Sequence, residues 1–387
     1  MADNRRILVT GATGFIGGRL VEALARRGRR LRIVTSDFRR CARVARFAVE
    51  MVKADLLAPE AFARTVDGCD TVFHLAFRFG GSADQMRRAN LGGTRALAEA
   101  ALANGVRRFV HFSSVAAYGA PADGDLTENS EPRPARDGYS ETKQRIDDML
   151  RDLNVRRQLP VTILQPTIVY GPYGYTWTIR LLEQVVAGNV VLPARGSGLC
   201  NAVYVDDVVN AALLAGESDA AVGESFLISG AAPVTWQAFY QAYEQMAGAD
   251  SVRPMDDVQM EAEKRRLRAR TSLTRRLQIA LARRPDVRER VLGQAPQRWL
   301  LRGGDLLLPD RAKRSIQGWY DNLWQAPPAP AASVYLPDPG TLALYAAKTN
   351  VRIDKARNRL GFIPAFDLET GMSKTAMWAR WANLVSS

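Results

Sequence analysis

The chain is poor in the residues that staple or metallate small proteins. Its 387 residues include three cysteines, Cys41, Cys69 and Cys200, far apart, odd in number and without a C-x-x-C pair. That pattern argues against a zinc site or a disulfide framework and for a reducing compartment. There are two histidines, His74 and His111, each inside an apolar run (VFHLAF and FVHFSS). Both are expected as buried structural residues, and no metal site is expected. No uninterrupted apolar stretch approaches the ~18 residues of a membrane span. MADNRRILVTG leads directly into a predicted strand, with no signal peptide expected. The expectation is a cytoplasmic protein.

What is present is ordinary in amount, 47% hydrophobic and 24% charged residues, and sufficient for a large core. The length predicts one large α/β domain and a smaller one. The net charge of +13 is unevenly spread: residues 251 to 315 hold seventeen Lys and Arg against eight Asp and Glu. This basic segment, with a helical insert expected over 251 to 325, has several readings. One is a cap over the active site with a solvated basic face. Others are attraction of an anionic substrate and peripheral contact with an anionic membrane. It shows no nucleic-acid-binding module, and no nucleic-acid partner is expected.

The first 165 residues alternate short apolar runs with amphipathic stretches: RRILVTG, LRIVTS, VEMVKADL, DTVFHLAF, RRFVHFSSV and PVTILQP alternate with FIGGRLVEALARRG, ADQMRRANLGGTRALAEAALANG and YSETKQRIDDMLRDLNVRRQ. Apolar runs of this kind, separated by helices, predict a parallel sheet wound on both sides. The predicted dinucleotide-binding domain covers 1–170, with 200–230 returning to it. Residues 171–199 and 231–387 are predicted to form the substrate-binding region.

Gly11, Gly14 and Gly17 follow the first strand and open the first helix. Gly11 permits the sharp turn, Gly14 lets the backbone approach a pyrophosphate, and Gly17 lets helix pack on strand. The helix N-terminus then faces the anion. The second strand ends Thr35-Ser36-Asp37-Phe38-Arg39-Arg40. The usual ribose-binding carboxylate falls near Thr35, while Ser36, Arg39 and Arg40 suit a 2′-phosphate. NADP(H) is therefore favoured over NAD(H), unless Asp37 turns inward.

A further series of motifs follows in order. TGATGFIGG contributes Thr13, Phe15 and Ile16 beside its glycines; Asp55-Leu56, His74-Leu75-Ala76, Asn90 in NLGGT, and Ser113-Ser114 with Tyr118-Gly come next. Tyr139-x-x-x-Lys143, then Pro166, Val169-Tyr170-Gly171-Pro172 and Val205-Asp206-Asp207 complete it. Together they resemble the extended short-chain dehydrogenases/reductases of the NAD-dependent epimerase/dehydratase type, well over about 5 to 230 and more loosely over 350 to 381. The resemblance implies a doubly wound Rossmann fold and cofactor contacts at Asp55, Leu56, Leu75, Ala76, Asn90, Pro166 and Val169. It implies catalysis by Ser114, Tyr139 and Lys143, with Ser113 the alternative to Ser114, and a homodimer joined through helices at 82 to 104 and 138 to 157. Tyr139 and Lys143 lie one helical turn apart. An ammonium about 4 Å from the phenol is worth roughly 4 kcal/mol at an effective dielectric near 20, enough to lower the phenol by about three pKa units.

Departures from the pattern narrow the chemistry. Val115-Ala116-Ala117 after Ser114 cannot move protons, which argues against a dehydratase. Cys200 stands where many nucleotide-sugar enzymes of this type carry an arginine, leaving Arg195 or the basic segment to bind a diphosphate. An oxidoreductase acting on a secondary alcohol or ketone is favoured. A nucleotide-sugar 4-epimerase with tightly bound NAD and a non-catalytic cofactor-binding sensor are the alternatives. The substrate is a small molecule, anionic in one reading, and Phe77, Tyr118, Tyr170, Tyr173, Arg195 and Asn201 are expected to meet it. Tyr175 and Trp177 are further candidates.

Overall fold

The computed structural model describes residues 6–135, 137–188, 190–270 and 336–385. Seven parallel strands form the central sheet: β1 (Arg6–Thr10), β2 (Arg30–Thr35), β3 (Val49–Lys53), β4 (Cys69–His74), β5 (Arg108–Phe112), β6 (Val161–Pro166) and β7 (Ser225–Ile228). Their spatial order is β7-β6-β5-β4-β1-β2-β3. The order reverses between β1 and β4, so a crevice opens at the carboxyl edge there. Thr10 pairs with His74, and Ile228 with Pro166, which brings the strand ends to one edge.

Helices cover both faces, as the buried runs require. On one face α1 (Phe15–Arg26) lies beside a helix over Val205–Glu217. There Leu20, Val21, Val208 and Ala212 are wholly buried. On the other, α2 (Ala83–Ala103) packs along α3 (Gly138–Arg157), burying Leu97, Ala101, Ile146 and Leu150. Local chemistry fixes where these helices start. Ser82 and Gln85 form a reciprocal capping box on α2, and the Asp137 side chain accepts from the Ser140 amide at 2.8 Å to start α3.

PVTILQPTIVYG does not continue as one strand. After β6 the segment Ile168–Tyr170 leaves the sheet and pairs with Ala202–Tyr204. Other short pairs, Gly124–Leu126 with Thr349–Val351 and Leu199–Cys200 with Val234–Thr235, build walls above the carboxyl edge. The C-terminal segment is tied down by Asp207, whose carboxylate accepts from the Ala365 and Phe366 amides.

The chain divides into two compact units, Met1–Asp256 with Tyr335–Ser387, and Asp257–Val334. Of the second, the described part is a helix over Asp257–Arg270. The expectations for the basic segment beyond residue 270 lie outside the described residues. Among the described residues no helix is long and apolar enough to cross a membrane.

Candidate active site

A cleft of about 1570 Å³ lies at the carboxyl edge, within the first unit. Its floor begins at the glycine turn. Gly11 has φ +68°, and a Cβ there would sit 2.7 Å from the Leu75 carbonyl carbon. A Cβ on Gly17 would come within 2.2 Å of the Gly11 oxygen. Only glycine allows the turn at the first position and the helix-to-strand approach at the second. The first turn of α1 has no side-chain cap and no acidic residue, so free amides and the positive dipole end face the cleft. These features fit a dinucleotide pyrophosphate. Thr13, Phe15, Ile16, Ser36, Asp55, Leu56, Leu75, Ala76, Pro166 and Val169 also line the cleft, as do Phe77, Tyr118 and Asn201.

Two residues expected at the cofactor do not line the cleft. Arg39 is 90% exposed and its guanidinium holds Asp37 at 2.9 Å; the side chain that lines the cleft is Arg40. Asp37 accepts both the Arg39 side chain and the Arg39 amide, so it caps its own turn rather than pointing inward. Asn90 is 1% exposed and does not line the cleft. Its amide accepts from Arg78 N and donates to Arg78 O and Met86 O. It fastens the loop after β4 onto α2.

Ser114, Tyr139 and Lys143 line the same cleft. The backbone leaving β5 sends the two serines in different directions. Ser113 is buried and donates to Asp147 Oδ2 at 2.8 Å, while Ser114 accepts from the Ala116 amide at 3.1 Å and lines the cleft with Tyr139. Phe77 and Phe79 pack on the Tyr139 ring at centroid distances of 5.1 and 5.7 Å. Lys143 Nζ donates to the Phe112 carbonyl at 2.7 Å and lies 5.9 Å from the Tyr139 ring centroid. The expected depression of the tyrosine is absent. Burial raises its pKa above the ordinary phenol value, opposed by the neighbouring Ser114 hydroxyl. Burial instead lowers Lys143 to about 8.

Beneath this cluster lies a buried polar network that the sequence reading did not find. Asp147, one turn beyond Lys143, accepts from Ser113 and from Gln165 Nε2 at 2.9 Å. Gln165 Oε1 in turn accepts from the Tyr118 hydroxyl at 3.0 Å. Tyr118 therefore lines the cleft with its ring while its hydroxyl is engaged. Burial pushes the Asp147 carboxyl up to about 6. His111 Nε2 is 3.9 Å from Asp147 Oδ1, and burial holds that histidine neutral, as it does His74, lowered to about 3. His74 bridges Thr10 and Thr94 at 2.8 and 2.9 Å. Both histidines are buried structural residues, and no cluster of metal-binding side chains occurs among the described residues. The i, i+4 spacing of Lys143 and Asp147 was the available signal for this network.

At the substrate end three expected residues lie elsewhere. Tyr170 is 2% exposed; it packs edge-on against Tyr204 and Phe239 and donates to the Asp367 carbonyl. Tyr173 lies outside the cleft, against Trp378 and under the Arg43 guanidinium. Arg195 turns to Asp256 at 3.1 Å, is 75% exposed, and does not line the cleft. Tyr175 and Trp177 do line it, joined by Trp236, Leu344, Thr349 and Val351. Those four come from segments that carried no motif.

Residues 7–229 match the model of the NAD dependent epimerase/dehydratase family. The protein y4nG of Sinorhizobium fredii is 30% identical over 212 residues, which is 54% of this chain and 52% of that protein. The chain thus spans about half the length of that relative. The 3 beta-hydroxysteroid dehydrogenase/Delta 5-->4-isomerase of Mycobacterium tuberculosis is 30% identical over 262 residues, 63% of this chain and 70% of that protein. Among solved structures, the UDP-glucose 4-epimerase of Thermotoga maritima with UDP-glucose superposes with a TM-score of 0.66 at 21% identity, covering 98% of this chain and 99% of that one. At that identity the likeness speaks for the fold.

Proposed function

The chain belongs to the NAD dependent epimerase/dehydratase family, and from that premise we propose an NAD(P)-dependent oxidoreductase that interconverts a secondary alcohol and a ketone, with Ser114, Tyr139 and Lys143 as catalytic groups. The observation that carries this reading is that Ser114, Tyr139 and Lys143 line one cleft with the glycine turn, with the Lys143 ammonium 5.9 Å from the Tyr139 ring centroid. A bound nicotinamide dinucleotide supplies or accepts the hydride. Ser114 hydrogen-bonds the substrate oxygen as charge develops on it. Tyr139 gives that oxygen its proton in reduction and takes it back in oxidation. Because burial raises Tyr139, the protonated phenol is its resting form, which suits the reductive direction at neutral pH. Lys143, held by the Phe112 carbonyl, keeps a positive charge near the phenol and stabilises the phenolate formed after proton transfer. Phe77 and Phe79 keep water from the ring.

NADP(H) is the favoured cofactor. Ser36 and Arg40 line the cleft at the end of β2 and suit a 2′-phosphate, and Arg39 occupies the one carboxylate of that turn, Asp37. An epimerase uses the same three groups and is the second reading, one that the family match also allows; the position of Arg195 counts against it. The resemblance also supports a homodimer joined through α2 and α3. Tyr139→Phe tests the catalytic assignment. Turnover is expected to fall at least a thousandfold with cofactor affinity within twofold of wild type, and near-normal turnover would refute it.

A further inference from the structure

The end of the cleft beyond Ser114 has a character that narrows the substrate. The whole cleft, at about 1570 Å³, exceeds the roughly 300–1,000 Å³ of an ordinary ligand pocket, so a second molecule of some size fits beside a dinucleotide. The wall beyond the catalytic serine is built from Val115, Pro121, Tyr175, Trp177, Leu199 and Leu344. Several of the polar side chains near it are already engaged. Asn201 donates to the Thr349 carbonyl at 2.8 Å and accepts from the Val351 amide at 2.9 Å. Asp125 is held by Asn350 and Arg352, and Asp123 by the Lys348 amide. Tyr118 donates to Gln165.

The charge at this end is of the wrong sign for a phosphate. Asp123, Asp125, Glu131 and Asp137 line the cleft, whose cations among the described residues are Arg133, the catalytic Lys143, Arg40 after β2, and Arg78, which pairs with Asp55. Arg195 faces away toward Asp256, and Cys200 is wholly buried. A nucleoside diphosphate placed here would meet solvent-exposed carboxylates of its own sign. A sugar's hydroxyls would be left unpaired along the apolar wall, and a site rejects polar groups that it leaves unpaired.

We propose that the substrate is an uncharged, mainly hydrocarbon secondary alcohol or ketone, bulkier than a simple sugar, with its apolar body against Val115, Tyr175 and Trp177 and its oxygen at Ser114 and Tyr139. This rests on the oxidoreductase reading above. In reduction the carbonyl carbon takes a hydride from the reduced nicotinamide, the carbonyl oxygen takes the Tyr139 proton, and solvent restores that proton. The earlier expectation of an anionic substrate is not supported at this end of the cleft.

The test uses the full chain with NADPH and NADH, and follows both binding, by tryptophan fluorescence, and turnover. The probes are a neutral steroid ketone and a neutral long-chain ketone against UDP-glucose and UDP-glucuronate. The expected result is reduction of at least one neutral ketone and no binding of either UDP-sugar at 1 mM. Tyr175→Asp, at a 63% exposed position, is expected to raise the ketone KM at least tenfold with cofactor affinity within twofold. Binding or turnover of a UDP-sugar in preference to the ketones would overturn the substrate class, and loss of that turnover in Tyr139→Phe would show the catalytic reading to stand without it. A neutral ketone that binds but is never reduced would sink the catalytic reading and leave the substrate class. Failure of both neutral probes to bind up to their solubility would overturn the proposal.

Discussion

At the scale of single residues, the site depends on groups buried against their own preference. Asp147 is 1% exposed and its carboxyl is raised to about 6 from 3.8, mainly by burial. A carboxyl raised in the folded state is bound more tightly by protons there than in the unfolded chain. Its contribution to stability is therefore present at low pH and is lost as pH rises toward 6. Asp147→Asn removes that dependence. Relative to wild type, the variant is expected to gain about 2 kcal/mol between pH 4 and pH 7.5, read from urea denaturation at the two pH values. An equal gap at both would show that Asp147 is not raised. Such residues are hard to find in a sequence. Tyr139 and Lys143 announce themselves by spacing, but whether the tyrosine is raised or lowered depends on how deeply it lies, and here burial raises it. Gln165 becomes Asp147's partner only because β6 and α3 pack side by side, which no local pattern records.

At the scale of elements, the parallel strands, the glycine turn and the two helices α2 and α3 were legible because their signals are local: buried apolar runs, a strand–turn–helix glycine pattern and caps. Positions whose neighbours come from distant chain were not. Tyr170 follows a motif expected at the pocket, yet Tyr204, Phe239 and the Asp367 carbonyl draw it into the core. Trp236 and Leu344 reach the cleft from segments with no motif at all. The turn after β2 illustrates a finer limit. Adjacent arginines take opposite roles because Asp37 caps the turn and captures Arg39, leaving Arg40 at the cleft. Arg40→Ala is expected to weaken NADPH binding about tenfold, the worth of one charge-assisted contact at an exposed site, with NADH affinity unchanged. Equal losses for the two cofactors in a direct titration would argue against a 2′-phosphate at that turn.

At the scale of the whole molecule, the carboxyl edge of one sheet gathers a dinucleotide cradle, a Ser-Tyr-Lys cluster and an apolar wall into a single cleft, and the basic character of the chain lies mostly in residues 251 to 315. The central claim is that a hydride crosses that cleft to a substrate which then leaves. The direct measurement is to supply NADPH or NADH deuterated at both C4 positions with a neutral ketone, and to read the product by mass spectrometry. The account predicts one deuterium on the new carbinol carbon with the wild-type chain and no labelled product with Tyr139→Phe. Tightly retained cofactor that never yields its deuterium to a released product would contradict it, and would make the site one that regenerates its own cofactor, as an epimerase does.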